Sequence, residues 1–577
     1  MVKTGKIIGA AGAGKTTCLL STMEKVLETD IRDPHSIGFI SFTRAARGEA
    51  ANRAAARFGL SADTLERDGW FRTMHSTCYK LLKVGRDEMV TASTKEDRAW
   101  LEGAVGDTVA RHYTSVDDAA ELFGQDSDAG KALSLWSISR NKGERLADTW
   151  KRVAGADPKT PSLGYVTQKV ENYEAAKRRD KRYDFTDLLL RFAGFKATLD
   201  GVGPWRKEGV VPDVPVWFAD EWQDASWLQN AVFERLIEHS RWAYAVADVR
   251  QAIYQFSGSD PSIFRNWKAD QTRVLPKTWR CGRAIWEFAE NVARRSIDYE
   301  PYGVKSSDHE GMVQFADVSD LRKIDPRQNW LVIARTNFLC GKMKSILGDA
   351  GIPFGSVGDD RGPSKPTRGV LALRKLEAGG AITGDEWSLA LEILPSRVGG
   401  VEVLTRGTKA EFEDKAYCKK FERITTAALE AAGGTETLKA KIRSGEWKFL
   451  LDKGVSEKAC MMQLHGEDAI LDPTIQVGTI HSVKGSEADN VFLLDAASRM
   501  SHEAASTPEG MAEELCCWYV GATRARQRLV VATDNRLRGF DLDRCADGVT
   551  SHFQGDEGLE EGPEELVEEK SQATWTF

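Results

Sequence analysis

The run Gly9-Ala10-Ala11-Gly12-Ala13-Gly14-Lys15-Thr16-Thr17 constrains the fold more than any other stretch of the chain. It fits the pattern G-x-x-x-x-G-K-[ST] and follows Lys6-Ile7-Ile8, which reads as the end of an apolar strand. After it, Cys18-Leu19-Leu20-Ser21-Thr22-Met23 begins a helical pattern. Small residues in such a loop let backbone N–H groups wrap a polyphosphate, and the positive end of the following helix adds to the attraction. In that pattern Lys15 reaches the β- and γ-phosphates, and the Thr16 hydroxyl holds Mg2+. A Gly/Ala loop can precede a helix by chance, but the full pattern in a strand–loop–helix setting points to a nucleoside triphosphate. The loop alone does not say what the triphosphate is used for.

At 577 residues the chain exceeds the ~250–300 residues at which single cores stop growing, so several domains are expected. Apolar content of 41% and charged content of 29% describe an ordinary globular protein. No apolar run approaches the ~20 residues that span a bilayer. The phosphate-loop pattern begins almost at once, which reads as the lack of a signal peptide. Nine cysteines occur without a C-x-x-C pair, so neither a zinc site nor a disulfide framework is indicated. Cys516-Cys517 reads as part of a buried strand or helix, and a reducing cytoplasm is the expected setting. The net charge of −7 at first argues against a nucleic-acid partner. Residues 555–570 alone carry eight acids and one lysine, however, so the remainder sums to about zero and can still present a basic groove. That acidic tail, 551–577, is expected to be disordered.

Strand-like and helical runs then alternate, as a parallel α/β sheet requires. Residues 38–43 read as a strand, and 44–53, rich in Ala and Arg, as the next helix. Residues 84–176 are polar and helical without strand punctuation, and read as an insertion. The basic run 177–182 fits either a solvated helix face or a DNA contact. A buried-strand pattern at 214–219 ends at Asp220-Glu221, an acid pair suited to holding Mg2+ (Asp220) and taking a proton from an attacking water (Glu221). Another strand, 242–247, ends near Gln251, Tyr254 and Phe256; those aromatics fit a core as well as a base-stacking site. A strand at 330–334 opens a second α/β region, 366–470 reads as a second helical insertion, and strands return at 475–480, 491–494 and 529–532.

In this order the motifs resemble the UvrD/Rep/PcrA branch of superfamily I DNA helicases. Residues 9–17, 40–46, 74–76 and 184–190 are similar to its motifs I, Ia, Ib and the segment before motif II. Asp220-Glu-Trp-Gln-Asp224 is similar to motif II, 248–258 to motif III, Trp279-Arg280-Cys281 to motif IV, and 479–487 and 519–526 to motifs V and VI. The resemblance implies two RecA-like parallel-sheet motor domains with ATP at their interface, each interrupted by a mostly helical subdomain. The expected division is 1–83 plus 177–274 for the first and 275–365 plus 471–550 for the second, with insertions at 84–176 and 366–470. It further implies that Gln251 senses the γ-phosphate, that Arg280 and Arg524 act as arginine fingers, and that Glu487 belongs to the nucleotide site. Trp279 stands where the family has a tyrosine stacked on adenine. Phe42, Thr43, His75, Tyr254, Phe256 and His481 match positions near the single strand, where a stacked base contributes about 1–3 kcal/mol.

The implied activity is ATP-dependent translocation 3′→5′ on single-stranded DNA with strand separation. The implied partners are single-stranded and partly duplex DNA and replication or repair proteins, with the monomer as the working form. A translocase that strips proteins and unwinds poorly, a nucleotide-dependent loader and an RNA-directed enzyme stay open as alternatives. Three departures stand out. Only eight residues precede Gly9 and the first glutamine is Gln125, so the family's adenine-reading Gln segment has no match. Motif III carries Arg250 where the family has a second acid, and the second insertion is shorter than usual.

Overall fold

The computed structural model describes residues 2–28, 33–42, 44–91, 94–109, 127–157, 159–358, 363–546, 551–553 and 555. Thr43 and nearly all of the acidic tail lie outside the described residues.

Six strands form the first sheet: β1 (Lys3–Ile8), β2 (Ile37–Ser41), β3 (Trp70–Thr73), β4 (Val216–Ala219), β5 (Trp242–Ala247) and β6 (Gln271–Val274). They run in the order β3-β2-β4-β5-β1-β6, every neighbouring pair parallel. Both faces are covered, which is why the central strands read as continuous apolar runs rather than alternating ones. Val216 and Phe218 of β4 join Ile7, Phe39 and Val246 in one core, while Trp217 and Ala219 join Ile40 and Ala245 in the other. The consequence for the site is positional. The carboxyl ends of β1, β4 and β5 lie side by side, so the glycine loop, the acid pair and the 248–251 turn emerge on one edge, where open parallel sheets bind ligands.

The second sheet has β7 (Met312–Asp317), β8 (Trp330–Ala334), β9 (Gly355–Ser356), β10 (Ile475–Thr479), β11 (Ala488–Leu494), β12 (Ala525–Thr533) and β13 (Ser551–His552). Their order is β9-β10-β8-β11-β12-β7-β13, again parallel throughout. Leu331, Ile333, Val491 and Leu493 face one core; Trp330, Val332, Phe492 and Leu494 face the other. Ala10, Ala11 and Ile253 from the first half pack into the former core, so the two sheets share apolar contact at the glycine loop.

Two further helical groups have cores of their own. Helices Lys95–Val105, Asp128–Lys142, Leu146–Ala156 and Leu163–Asp180 bury Leu101, Leu133, Trp136, Val166 and Tyr173 together. Between 365 and 471, helices bury Leu373, Trp387, Leu391, Leu438 and Trp447. Three short antiparallel pairs among the described residues escaped the sequence reading: the hairpins Phe195–Thr198 with Gly201–Pro204 and Arg397–Val398 with Val401–Glu402, and the distant pair Ala381–Ile382 with Ile424–Thr425. At two to four residues each, they are too short to print a period-2 pattern.

The basic run 177–182 is not simply a solvated face. Lys177 is buried at the end of Leu163–Asp180, where Nζ donates to Asp184 Oδ2 (2.9 Å) and Asp187 Oδ2 (2.7 Å). Arg140 from Asp128–Lys142 grips Asp184 with two parallel bonds of 3.1 and 2.9 Å. This ionic knot joins the helical group to helix Phe185–Ala193 beneath the first sheet, whose first turn Asp184 caps. Cys516 and Cys517 lie in helix Pro508–Ala522, and all nine cysteines are free. Among the described residues no helix is long and apolar enough to cross a membrane.

Candidate nucleotide cleft and nucleic-acid face

The loop after β1 is anchored by Gly9 N, which donates to Ala247 O (3.0 Å). Gly12 and Gly14 adopt φ of 69° and 81°, the left-handed region that glycine enters without penalty. A Cβ on Gly12 would sit 2.4 Å from Arg280 Cβ, so the loop is also pinned by its neighbour from the other half. Gly14 precedes helix α1 (Lys15–Val26) and supplies no side-chain cap. The first turn of α1 therefore keeps N–H groups directed at the loop, the arrangement that receives phosphate.

The acid pair meets this loop at close range. Thr16 Oγ1 donates to Asp220 Oδ2 at 2.8 Å, and Lys15 Nζ lies 3.8 Å from Glu221 Oε1. Glu221 adopts φ 53°, a left-handed conformation rare for a residue with a Cβ, which turns its carboxylate toward Lys15. Its Oε2 accepts from Gln223 Nε2, and Gln223 Oε1 accepts from Asp248 N (3.1 Å). Burial and the adjacent Glu221 charge raise the Asp220 carboxyl to about 6. Burial also pushes Glu221 upward, but Lys15, Lys484, Gln223 and Arg524 outweigh it and hold that carboxyl low, near 2. Asp224, raised by burial to about 6, accepts from Lys484 Nζ at 2.5 Å. A hydroxyl and a carboxylate oxygen 2.8 Å apart are the hard donors that Mg2+ takes, and the Gly12–Gly14 cradle suits a triphosphate, so the residues fit both groups.

The second half closes over the loop. Thr278 Oγ1 donates to Ala11 O (2.7 Å) and Trp279 N to Gly12 O (2.9 Å). The Trp279 ring is half exposed, with Lys277 Nζ 4.4 Å from its centroid. Arg280 pairs with Glu487 and donates to Thr523 O (3.2 Å); Glu487 is held by Arg526 as well. Arg524 is 1% exposed and donates to Val520 O (2.9 Å) and Ser486 O (3.2 Å), with Nη2 3.5 Å from Gln251 Oε1. Burial, with Arg280 nearby, lowers Arg524 to about 10, which is the signature of a cation short of negative charge. Gln251 is buried, and its Nε2 donates to Asp248 Oδ2 at 2.8 Å.

The residues expected near a single strand divide. Tyr254, Phe256 and His481 gather from both halves: Phe256 lies 5.4 Å from His481 and 6.3 Å from Tyr254, and Tyr254 lies 6.0 Å from His481, centroid to centroid. Phe256 is 53% exposed and offers a ring face to solvent. Burial and the Arg335 charge lower His481 to about 4, so it is neutral at pH 7, with Nε2 3.2 Å from Ile253 O. Phe42 is half-buried against Trp222 at 5.6 Å. His75 corrects the sequence expectation. It is buried, edge-on to Phe185 at 6.2 Å, because it sits on the inner face of helix Met74–Leu82, which packs on Phe185–Ala193. Sequence reasoning passed over Gln223, Asp224, Thr278, Lys484 and Tyr519 as site residues. All stand inside or beside motifs, but their partners lie up to 271 residues away, and no local signal announces them.

Two parallel sheets that meet at a glycine loop, an acid pair and paired arginines define a P-loop nucleotide-binding protein with two RecA-like domains. The UvrD/REP helicase N-terminal domain model matches residues 2–272, and the UvrD-like helicase C-terminal domain model matches 454–536. The chain belongs to this UvrD/Rep/PcrA-like branch of superfamily I. It is similar to the ATP-dependent DNA helicase PcrA of Bacillus subtilis, at 23% identity over 92% of this chain and 81% of that protein. The PcrA of Leuconostoc citreum is likewise 23% identical, over 77% of this chain and 58% of its own length, and the PcrA of Staphylococcus aureus over 53% and 40%. The chain thus spans about half the length of several curated relatives that it matches. The helicase nonstructural protein 10 of an arterivirus aligns over 94% of this chain and 62% of its own with a TM-score of 0.31 and 11% identity. That overlap is too slight to bear on the fold, which the two sheets define by themselves.

Proposed function

We propose that this protein is an ATP-dependent DNA helicase that moves 3′→5′ along single-stranded DNA and separates duplex strands. The observation that carries the reading is the convergence of Lys15, Asp220 and Glu221 from the first sheet with Arg280 and Arg524 from the second. Bound ATP with Mg2+ supplies the free energy of the cycle. Lys15 would neutralise the phosphates, Thr16 and Asp220 would hold the cation, and Glu221, ionised at neutral pH, would take the proton of the attacking water. Gln251 and Arg524 share a contact and report the γ-phosphate end of the cleft to both halves; Arg280 and Arg524 stabilise charge that spreads in the transition state. Trp279 offers a face to the base. The Tyr254–Phe256–His481 cluster spans the two halves, so opening and closing of the cleft would release and regrip a stacked base. The domain division is that of the two sheets, with residues 84–176 and 366–470 as inserted subdomains.

Tailed duplexes test the reading. A duplex with a 3′ single-stranded tail should be separated when ATP and Mg2+ are added, and one with a 5′ tail should not. Separation that requires a 5′ tail would reverse the polarity, and triphosphatase activity indifferent to single-stranded DNA would remove the motor.

A further inference from the structure

The 3-10 turn Val249–Gln251 follows β5 and so belongs to the first half, yet the second half holds it residue by residue. Its cap, Asp248, accepts from Tyr519 Oη at 3.3 Å, and the Gln251 carbonyl accepts from Lys484 Nζ at 2.9 Å. The tightest hold is on Arg250, whose side chain is 6% exposed. Its guanidinium pairs with Glu290 of helix Arg283–Arg294 and donates to the Glu300 carbonyl. Tyr302 and Tyr299 flank it, with ring centroids 4.1 and 4.9 Å from Cζ. Tyr299 Oη also donates to Glu290 Oε2 at 2.8 Å, so the acid is held by the tyrosine as well as by the arginine. All these partners of Arg250 lie in 290–302, after Thr278 and Trp279, which bond to the glycine loop. A planar, permanently charged fork fits such a socket; the point charge of a lysine would satisfy the acid but not the stacking and the second donor together.

We infer that Arg250 is a positioning residue for the hydrolysis cycle: it ties the Gln251 turn to helix Arg283–Arg294, so that movement of the second half carries the Gln251 amide relative to the phosphate loop. The inference rests on the reading of the cleft as a triphosphatase. Gln251 is the next residue in the chain, and its amide already bridges Asp248 Oδ2 (2.8 Å) and Arg524 (3.5 Å). A guanidinium locked into the second half leaves the turn no slack, so the turn follows that half rather than staying with β5. Among the described residues the partners of Arg250 are Asp248, Glu290, Glu300, Tyr299 and Tyr302, away from the glycine loop, Lys15 and Thr16, which separates its effect from nucleotide binding.

The test uses the full chain with donor and acceptor dyes at exposed Glu238 and Arg322, one on each half, and a non-hydrolysable ATP analogue with Mg2+ as probe. Folding is checked by thermal unfolding. Arg250→Ala should bind the analogue within about threefold of wild type, lose most of the analogue-induced change in energy transfer, and lose about tenfold in kcat with single-stranded DNA. Glu290→Gln should move the same three quantities in the same direction, and Arg250→Lys should recover part of the energy-transfer change. A folded Arg250→Ala protein with wild-type kcat and energy transfer overturns the inference, as does a loss of analogue affinity that matches the loss of kcat. If Arg250→Ala does not fold, Arg250→Lys and Glu290→Gln decide on the same readouts. A wild-type protein without triphosphatase activity would sink the functional reading, whereas the energy-transfer response of Arg250→Ala would still judge the clamp.

Discussion

The knot at Asp184 and the cleft at Asp220 are both buried and both set carboxylates beside lysine and arginine, but Lys15 and Arg524 of the cleft lack the close carboxylate partners that Arg140 and Lys177 of the knot have. In the knot Arg140 reaches Asp184 at 2.9 and 3.1 Å and Asp187 at 3.1 Å, while Lys177 reaches Asp184, Asp187 and Glu174 at 2.9, 2.7 and 2.8 Å. Every cation there is saturated. In the cleft Lys15 stands 3.8 Å from Glu221, and Arg524 has carbonyl oxygens and a 3.5 Å amide contact in place of a carboxylate. Saturated charges weld a helical subdomain to a sheet. Under-partnered ones hold capacity in reserve for an arriving polyanion, which is what a site that binds and releases nucleotide needs. The two clusters share composition, so the contrast lies in geometry.

Removing one charge from each cluster should therefore have different consequences. Arg524→Ala should lower kcat by about 10³–10⁵, the range for a missing arginine finger, in a steady-state assay with single-stranded DNA. Its thermal stability should stay level or rise, because a buried, under-paired cation costs desolvation free energy. A melting temperature that fell as far as in a knot variant would erase the distinction. Asp184→Ala should do the reverse. It removes the most buried of the acceptors that Arg140 and Lys177 share and should cost about 3–5 kcal/mol in denaturant unfolding, with turnover per folded molecule retained.

The smallest effect is a pH dependence inside the knot. Three carboxyls, Glu174, Asp184 and Asp187, face two cations, Arg140 and Lys177, so one carboxyl binds a proton more readily than usual. Burial, with the Asp184 charge next, raises Asp187 to about 6, whereas the unfolded chain releases that proton near 3.8. Between those values the native state holds more protons than the unfolded one, so this group's contribution to stability is present at low pH and lost as pH rises through about 6. Asp187→Asn should thus gain stability relative to wild type between pH 4.5 and 7, read as a difference in urea midpoints. A constant difference would mean that the knot is as free of proton exchange as a fully balanced pair.

Much of the scaffold was legible because it is written in neighbouring residues. The glycine loop between Lys6-Ile7-Ile8 and Cys18 forms with Gly12 and Gly14 at positive φ, and Asp220 follows four consecutive buried residues. Such features need only a local strand, a turn and a helix start. Where the reading failed, distance in space had overruled character in sequence. His75 matched a motif position near the single strand, but the packing of its helix on Phe185 buries it. Lys177, first of a basic run, looked solvated, yet its Nζ lies between two aspartates seven and ten residues on. Arg250 looked like a lost acid, and only the socket at Glu290, Tyr299 and Tyr302 gives it a task.

By itself, then, the order of residues determined that a triphosphate-binding loop opens an α/β sheet, that an acid pair closes a second strand, and that the motifs belong to the UvrD/Rep pattern. The first two follow from hydrogen bonding and backbone sterics over a few consecutive positions, and the third from the resemblance of the motifs in their order. Tertiary structure alone decided that Thr278 latches Ala11 across 267 residues, that Lys484 meets Asp224 across 260, and that Arg524 is buried within reach of Gln251. Burial and Coulomb attraction depend on separation in space, and folding sets that separation with little regard to separation along the chain.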